Sequence, residues 1–221
     1  MTYSVSTQAT PSRISPGRPP KAQAEARRAH LLRVATDEFL AEGFGNANVD
    51  RIARKAGVSK KTIYARYPNK EALFFAVVDE IANASHGLLA ADMAAADGDP
   101  ERVLLAFGLR IATTWTSPLE LGIYRLILSE IPRFPSLAAL YNREMELFRS
   151  TLLDYLRRQI DQGNFVIPDL PKSVRQFGLL VYGEARERAL LGEQQTAEDV
   201  NALVLSGVRL FVAGYSKKTR E

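Results

Sequence analysis

Apolar positions recur at helical spacing along most of this chain, and the breaks between the runs hold residues that start and stop helices. From Gln23 to Glu42 the repeating positions are Leu31, Leu32, Ala35, Phe39 and Leu40, and Gly43 is placed to end the run. A short helix is predicted from Val49 to about Lys55, with Asn48 capping its free amides. Ala56-Gly57-Val58 reads as a tight turn, and Ser59 caps a second short helix reaching Tyr67, where Pro68 stops it. Asn69 then caps a longer helix from Lys70 toward Ala90. After the break at Asp97-Gly98-Asp99-Pro100, helical patterns return at about 100–115, 119–131, 136–162, 172–191 and 197–215, punctuated by prolines and Gly192. No stretch reads as a strand and no repeat of fixed period is present.

The predicted fold is therefore all-α. Residues 1–22, rich in Ser, Thr and Pro, form a disordered basic arm, and residues 23–69 a three-helix unit with a helix-turn-helix. Residues 70–215 form a connecting helix and a larger bundle, and 216–221 a tail.

Charge sharpens this division. Residues 1–70 hold 13 Lys/Arg against 5 Asp/Glu, a balance of +8, whereas the rest of the chain balances at −4. One basic end on a mildly acidic body points to a polyanion met by that end. The absence of cysteine removes disulfides and thiolate chemistry and fits a reducing interior. Met1–Thr10 do not read as a signal peptide, and no apolar run approaches the roughly 18 residues of a membrane span. The expectation is a soluble, cytoplasmic chain with no membrane partner. An enzyme is disfavoured because no phosphate loop, nucleophile elbow or His-centred metal motif is present, and no cofactor is implied. His30 lies among Arg27, Arg28 and Arg33, where solvent or DNA is its expected neighbour; His86 reads as a packing or interface group, and Asp37-Glu38 as exposed charges.

The two short helices set a demanding pattern. Ala53 must be small where the second helix crosses, Gly57 frees the turn, and Ile52, Val58 and Ile63 face inward. The outward face of the second helix is then Lys60, Lys61, Thr62, Tyr64, Ala65 and Arg66, suited to a major groove. The run from Phe39-Leu-Ala-Glu-Gly43-Phe44 through Val49-Asp-Arg-Ile-Ala53 to Tyr67-Pro-Asn-Lys70-Glu-Ala-Leu73-Phe74 resembles the N-terminal domain of TetR-family transcriptional regulators over roughly residues 25–75. The resemblance implies phosphate contacts from Asn48, Tyr64, Arg66 and Lys70. It implies that Lys60, Lys61, Thr62 and Ala65 face base edges on a recognition helix running from Ser59 to Tyr67. Tyr67 stands where the family usually has a core Phe, so its ring is expected to pack and its hydroxyl to be free for a phosphate. In the arm, Gly17-Arg18-Pro19 resembles part of an AT-hook, with Arg18 in a minor groove; a tail of scattered charge is the other reading.

Tyr124-Arg-Leu-Ile-Leu-Ser-Glu130 and the residues to Leu137 resemble the AefR-like C-terminal subgroup. This implies a homodimer seam on the last two helices and a small-molecule pocket among the connecting helix and the next three. Trp115, Tyr124, Met145, Phe148, Phe177 and Tyr182 are the candidate apolar walls, with Arg125, Glu130, Glu184 and Arg188 as polar anchors. The stripe Val200, Leu203, Val204, Gly207, Val208, Phe211 and Tyr215 must be buried, and packing between subunits is favoured over packing within one. The expected protein is a repressor that binds a pseudo-palindromic operator as a dimer and is released by an unidentified small molecule. A regulator acting without an effector, or under a protein partner, is the alternative.

Overall fold

The computed structural model describes residues 21–217 except 95 and 97, and the expected arm, including Arg18, lies outside the described residues. Helix α1 (Lys21–Asn46) is followed by α2 (Val49–Lys55), α3 (Lys60–Arg66) and the long α4 (Lys70–Ala94). Then come α5 (Pro100–Trp115), α6 (Pro118–Glu130) and α7 (Ser136–Asp161). The chain continues through α8 (Leu170–Gly178), a π-helical turn (Leu179–Gly183), α9 (Glu184–Leu190) and α10 (Ala197–Tyr215). Among the described residues the sole β-type pairing is an isolated bridge between Phe165 and Ser216. No described helix is long and apolar enough to cross a membrane.

Local chemistry explains most boundaries. Asn48 accepts from the amides of Asp50 and Arg51, Ser59 from that of Thr62, and Thr196 with Asp199 forms a capping box at α10. Pro100 and Pro118 occupy first turns, where no amide hydrogen bond is lost. Gly57, with φ 66°, makes the turn between α2 and α3.

Two boundaries differ from expectation. Gly43 kinks α1 instead of ending it, with φ 75° and ψ 164°, and one more turn follows. That kink carries Phe44 into the core, where its ring stacks on Phe39 and tilts against Phe74. The helix expected over 172–191 is interrupted by the π-helical turn at Leu179–Gly183.

Two apolar clusters organise the chain. The first joins α1, α2 and α3 through Phe39, Ile52 and Ile63 to Leu73 and Phe74 of α4, and reaches Ile123, Ile127 and Leu137 of α6 and α7. The second centres on Leu104, Phe148, Tyr155, Phe177, Val208 and Phe211 in α5, α7, α8 and α10.

The stripe on α10 corrects an expectation. Val204, Gly207, Val208 and Phe211 are buried inside the single chain, against α5 and the π-helical turn. The reason is a close approach: a Cβ on Gly207 would lie 2.4 Å from the carbonyl oxygen of Leu180. Backbone cannot yield as a flexible side chain can. Gly207→Ala therefore gains about 1 kcal/mol of helix propensity but is expected to lose more, netting a destabilisation of about 1–3 kcal/mol by overpacking. Thermal unfolding followed by circular dichroism checks this; an unchanged or raised Tm contradicts it.

Candidate DNA-reading face and effector cavity

The reader is held to α1 by one buried carboxylate. Glu38, 1% exposed, accepts from the Asn48 amide at 3.1 Å, from Arg51 Nε at 2.6 Å and from Lys55 Nζ at 3.4 Å. This overturns the reading of Asp37-Glu38 as two surface charges: the neighbouring cations and amide make burial of Glu38 tolerable. Burial is the largest influence on its proton affinity and raises it, yet the Asn48 amide, Arg51 and Lys55 together hold it below the usual carboxylate value of 4.5. A depressed value means stabilisation that is complete above the ordinary range and lost as pH falls through the folded value. Glu38→Gln should cost about 1–3 kcal/mol near pH 7, with the difference from the unsubstituted protein shrinking near pH 3. Urea unfolding at the two pH values measures it, and an equal difference at both would contradict the assignment.

On α3, Ile63 points into the core while Lys61, Thr62, Tyr64, Ala65 and Arg66 lie exposed. Ser59 and Thr62 share a hydroxyl contact at 2.7 Å. Lys60 is turned toward α2, pairing with Asp50 at 2.8 Å, an exposed contact that DNA could displace cheaply. Lys70 holds the end of α1: its ammonium donates to the carbonyls of Gly45 at 2.8 Å and Ala47 at 3.2 Å and lies 5.0 Å from the centre of the Phe44 ring. Burial, then repulsion by Arg133, lowers its proton affinity.

Tyr67 requires a correction. Its ring packs as expected, but its hydroxyl is buried against Arg28 and so does not face outward for a phosphate. His30 lies 2.9 Å from Arg33 Nη2 on exposed α1, and His86 stands edge-on to Phe148 and contacts the Thr151 hydroxyl.

Behind the reader lies a half-open cavity of about 60 Å³. Val78 and Ile81 of α4, Ile123 and Ile127 of α6, and Trp115 at the end of α5 supply much of its wall. Tyr124, Tyr141, Met145 and Phe148 add aromatic and sulfur surface, and Glu144 and Arg186 add charge. Four expected wall residues thus meet here: Trp115, Tyr124, Met145 and Phe148. Phe177 and Tyr182 line an adjoining chamber that shares Trp115, Tyr141, Met145, Phe148 and Arg186 with the first.

The polar anchors are not those expected. Arg125 is exposed and donates to the carbonyls of Ala189 and Leu190, closing the end of α9. Glu184 is exposed beside Arg188, which pairs with Glu193, and neither of the two arginine partners borders the cavity. Glu130 also lies outside its walls. Arg186 takes their place: its guanidinium lies 4.5 Å from the Tyr124 ring centre and 5.0 Å from that of Tyr182, and donates to the Tyr141 hydroxyl at 3.1 Å. The π-helical turn explains the substitution. Its wider winding delays the helix phase by roughly one residue, turning Tyr182 and Arg186 inward and Glu184 out.

A route joins cavity and reader. Glycine at position 122 on α6 lets Leu40 of α1 approach so closely that an added Cβ would meet Leu40 Cδ2 at 2.8 Å. Phe134, between α6 and α7, packs edge-on against Phe44.

Family comparisons agree with this geometry. Residues 31–77 match the family of bacterial regulatory proteins called tetR, and residues 102–217, more than half of the chain, match the AefR-like transcriptional repressor C-terminal domain. The chain belongs to the TetR family. TetR-family members are DNA-binding transcriptional regulators with an all-α fold, not enzymes. The TetR-type reader is 41% identical over 56 residues to the HTH-type transcriptional repressor SCO4008 of Streptomyces coelicolor, covering 25% of this chain and 29% of that one. The chain thus spans under a third of the length of the curated relatives it matches. Over the whole fold, a TetR-family chain from Mesorhizobium loti MAFF303099 superposes with a TM-score of 0.82 at 19% identity, covering 88% and 99% of the two chains. The flavonoid-responsive regulator FrrA superposes with a TM-score of 0.71 at 27% identity, covering 88% and 100%.

Proposed function

We propose that this TetR-family regulator is a cytoplasmic, dimeric repressor that leaves its operator when a small molecule fills the cavity between α4, α6 and α7. The single observation that carries the reading is the shared wall. Helices α4 and α6 line the cavity with Val78, Ile81, Ile123 and Ile127, and both also pack against α1 of the reader. A ligand with different affinity for two arrangements of those helices shifts the spacing of two readers. FrrA, similar over its whole length and named for its response to flavonoids, supports a small organic effector.

On DNA, Lys61, Thr62 and Ala65 meet base edges, joined by Lys60 once it leaves Asp50, while Ser59 starts the recognition helix. Asn48, through its side-chain NH2, with Tyr64, Arg66 and Lys70 meets phosphates. Lys70 has three N–H donors, of which two carbonyls use two. A second copy covers the exposed leucines of the last helices, so two readers on a two-fold axis imply a pseudo-palindromic operator. Residues 23–69 act as the DNA-binding unit and 70–215 as the effector and dimer unit.

Selection of bound duplexes from a random pool, followed by fluorescence anisotropy with the selected site, tests this. The expected result is a palindromic site bound by two chains. Selection of a site without two-fold symmetry, bound by one chain, overturns the dimeric reading.

A further inference from the structure

The larger space behind the reader is the adjoining chamber, about 240 Å³ between α5, α7, α8 and the π-helical turn, and every charge on its wall is positive. Arg149 of α7, Arg175 of α8 and Arg186 of α9 border it, while the acidic residues Glu120 and Glu144 border the first cavity and not this chamber. The rest of the wall is largely apolar, with Phe107, Trp115, Phe148 and Phe177 prominent.

Arg186 stands at the junction and borders both spaces. It is half-buried, and among the described residues it forms no ion pair. Its one hydrogen bond runs from Nη1 to the Tyr141 hydroxyl, and its guanidinium lies beside the Tyr124 and Tyr182 rings. A guanidinium has five N–H donors, so most of those of Arg186 lack an acceptor among the described residues. Arg149 has only an exposed 3.4 Å contact with Glu146, one helical turn away, which competes weakly for it. Arg175 is exposed at the rim and pairs with no acid among the described residues. Burial raises the proton affinity of the Tyr182 hydroxyl, and Arg186 and Arg149 oppose it, so both cations act on one part of the wall. A partly buried cation without a counter-ion is costly, and an anion taken from solution offsets that cost.

We infer that the chamber takes an organic carboxylate with an apolar body, its carboxylate accepting from Arg186 with Arg149 beside it, and its body against Trp115, Phe148 and Phe177. A guanidinium fork matches a carboxylate through two parallel hydrogen bonds. A more highly charged phosphate would have to shed more water to enter so apolar a space, and an organic cation would meet three like charges. No bond is made or broken. That binding releases the operator rests on the effector reading; where the anion sits does not.

Isothermal titration of the full chain with 2-naphthoate and decanoate, each against its neutral amide, tests the site and separates a flat body from a flexible one. At least one carboxylate is expected to bind about tenfold or more tightly than its amide. Arg186→Met, which keeps an apolar stem, should abolish that ratio while amide binding persists. Arg186→Lys, which keeps the charge but loses the fork, should retain part of it and guards against misfolding. Equal affinities of carboxylate and amide for the unsubstituted protein overturn the inference, as does failure of both carboxylates to bind below about 1 mM, or a ratio unchanged in Arg186→Met. Operator release is read separately by anisotropy: a carboxylate that binds without release rejects the effector reading and leaves the anion site standing.

Discussion

With Leu179 and Leu210 both changed to glutamate, the protein is expected to sediment as a monomer and to lose operator affinity by about two orders of magnitude or more. The two side chains are 66% and 62% exposed in the single chain, on the π-helical turn and on α10, with Leu180 and Leu191 also exposed on this half of the chain. Apolar surface gathered on adjoining helices marks an interaction face. Covering one such leucine contributes about 1.5–3 kcal/mol, and a two-fold axis counts each substitution twice. A glutamate in the same place must shed its water without a partner, so the sign of the contribution reverses. Loss of operator affinity follows because half of the phosphate and base contacts leave with the second reader. Leu128→Glu, on the exposed side of α6, is the control and should alter neither quantity. Sedimentation velocity and anisotropy on the same samples provide the check. A dimer that survives both substitutions places the second copy elsewhere.

Much of the α10 stripe packs within one chain, against α5 and the π-helical turn, and the difference from the expected seam shows what a sequence can carry. Local signals were legible. Asn48 and Ser59 cap helices because short polar side chains reach orphan amides, and Pro100 and Pro118 start helices because they lack an amide. The face of α3 followed from helical spacing alone, since Ile63 must face inward. Decisions made by tertiary neighbours were not legible. The pattern of Val204, Gly207 and Val208 favoured a seam between subunits over packing within one, and the α5 and π-helical-turn neighbours, the Leu180 carbonyl beside Gly207 among them, decide for the latter. Glu38 looked like half of a surface charge pair because Asn48, Arg51 and Lys55 lie 10 to 17 residues away.

In the cavity the aromatic walls were recoverable, because Trp115, Tyr124 and Phe148 keep regular helical phase. Arg186 was missed for a physical reason: the π-helical turn shifts the phase of everything after Leu179, and no single residue announces it. Glu144 was hidden by Arg143 beside it, which in sequence reads as an ordinary adjacent charge pair.

The second large effect concerns DNA and separates three residues that sequence alone groups together. Tyr64→Ala is expected to weaken binding by about tenfold per half-site, or about a hundredfold for the dimer, on every sequence tested. Lys61→Ala should instead flatten the preference at one or two base pairs of each half-site, worth about 1–3 kcal/mol of discrimination, with little change on other sequences. Lys70→Ala differs from both, because the ammonium that meets a phosphate also holds the carbonyls of Gly45 and Ala47 at the end of α1. Losing it should lower Tm and operator affinity together. The salt dependence tells the two roles apart. If Lys70 neutralises one phosphate per half-site, the slope of log K against log salt falls in magnitude by about 1.8 for the dimer, twice the roughly 0.9 released per phosphate. If Lys70 acts only by holding α1, affinity falls while the slope stays where it was. Titrations over a range of salt concentrations, with the unsubstituted protein and Tyr64→Ala alongside, distinguish these outcomes, and a Lys70→Ala protein unchanged in affinity, slope and Tm would remove Lys70 from both roles.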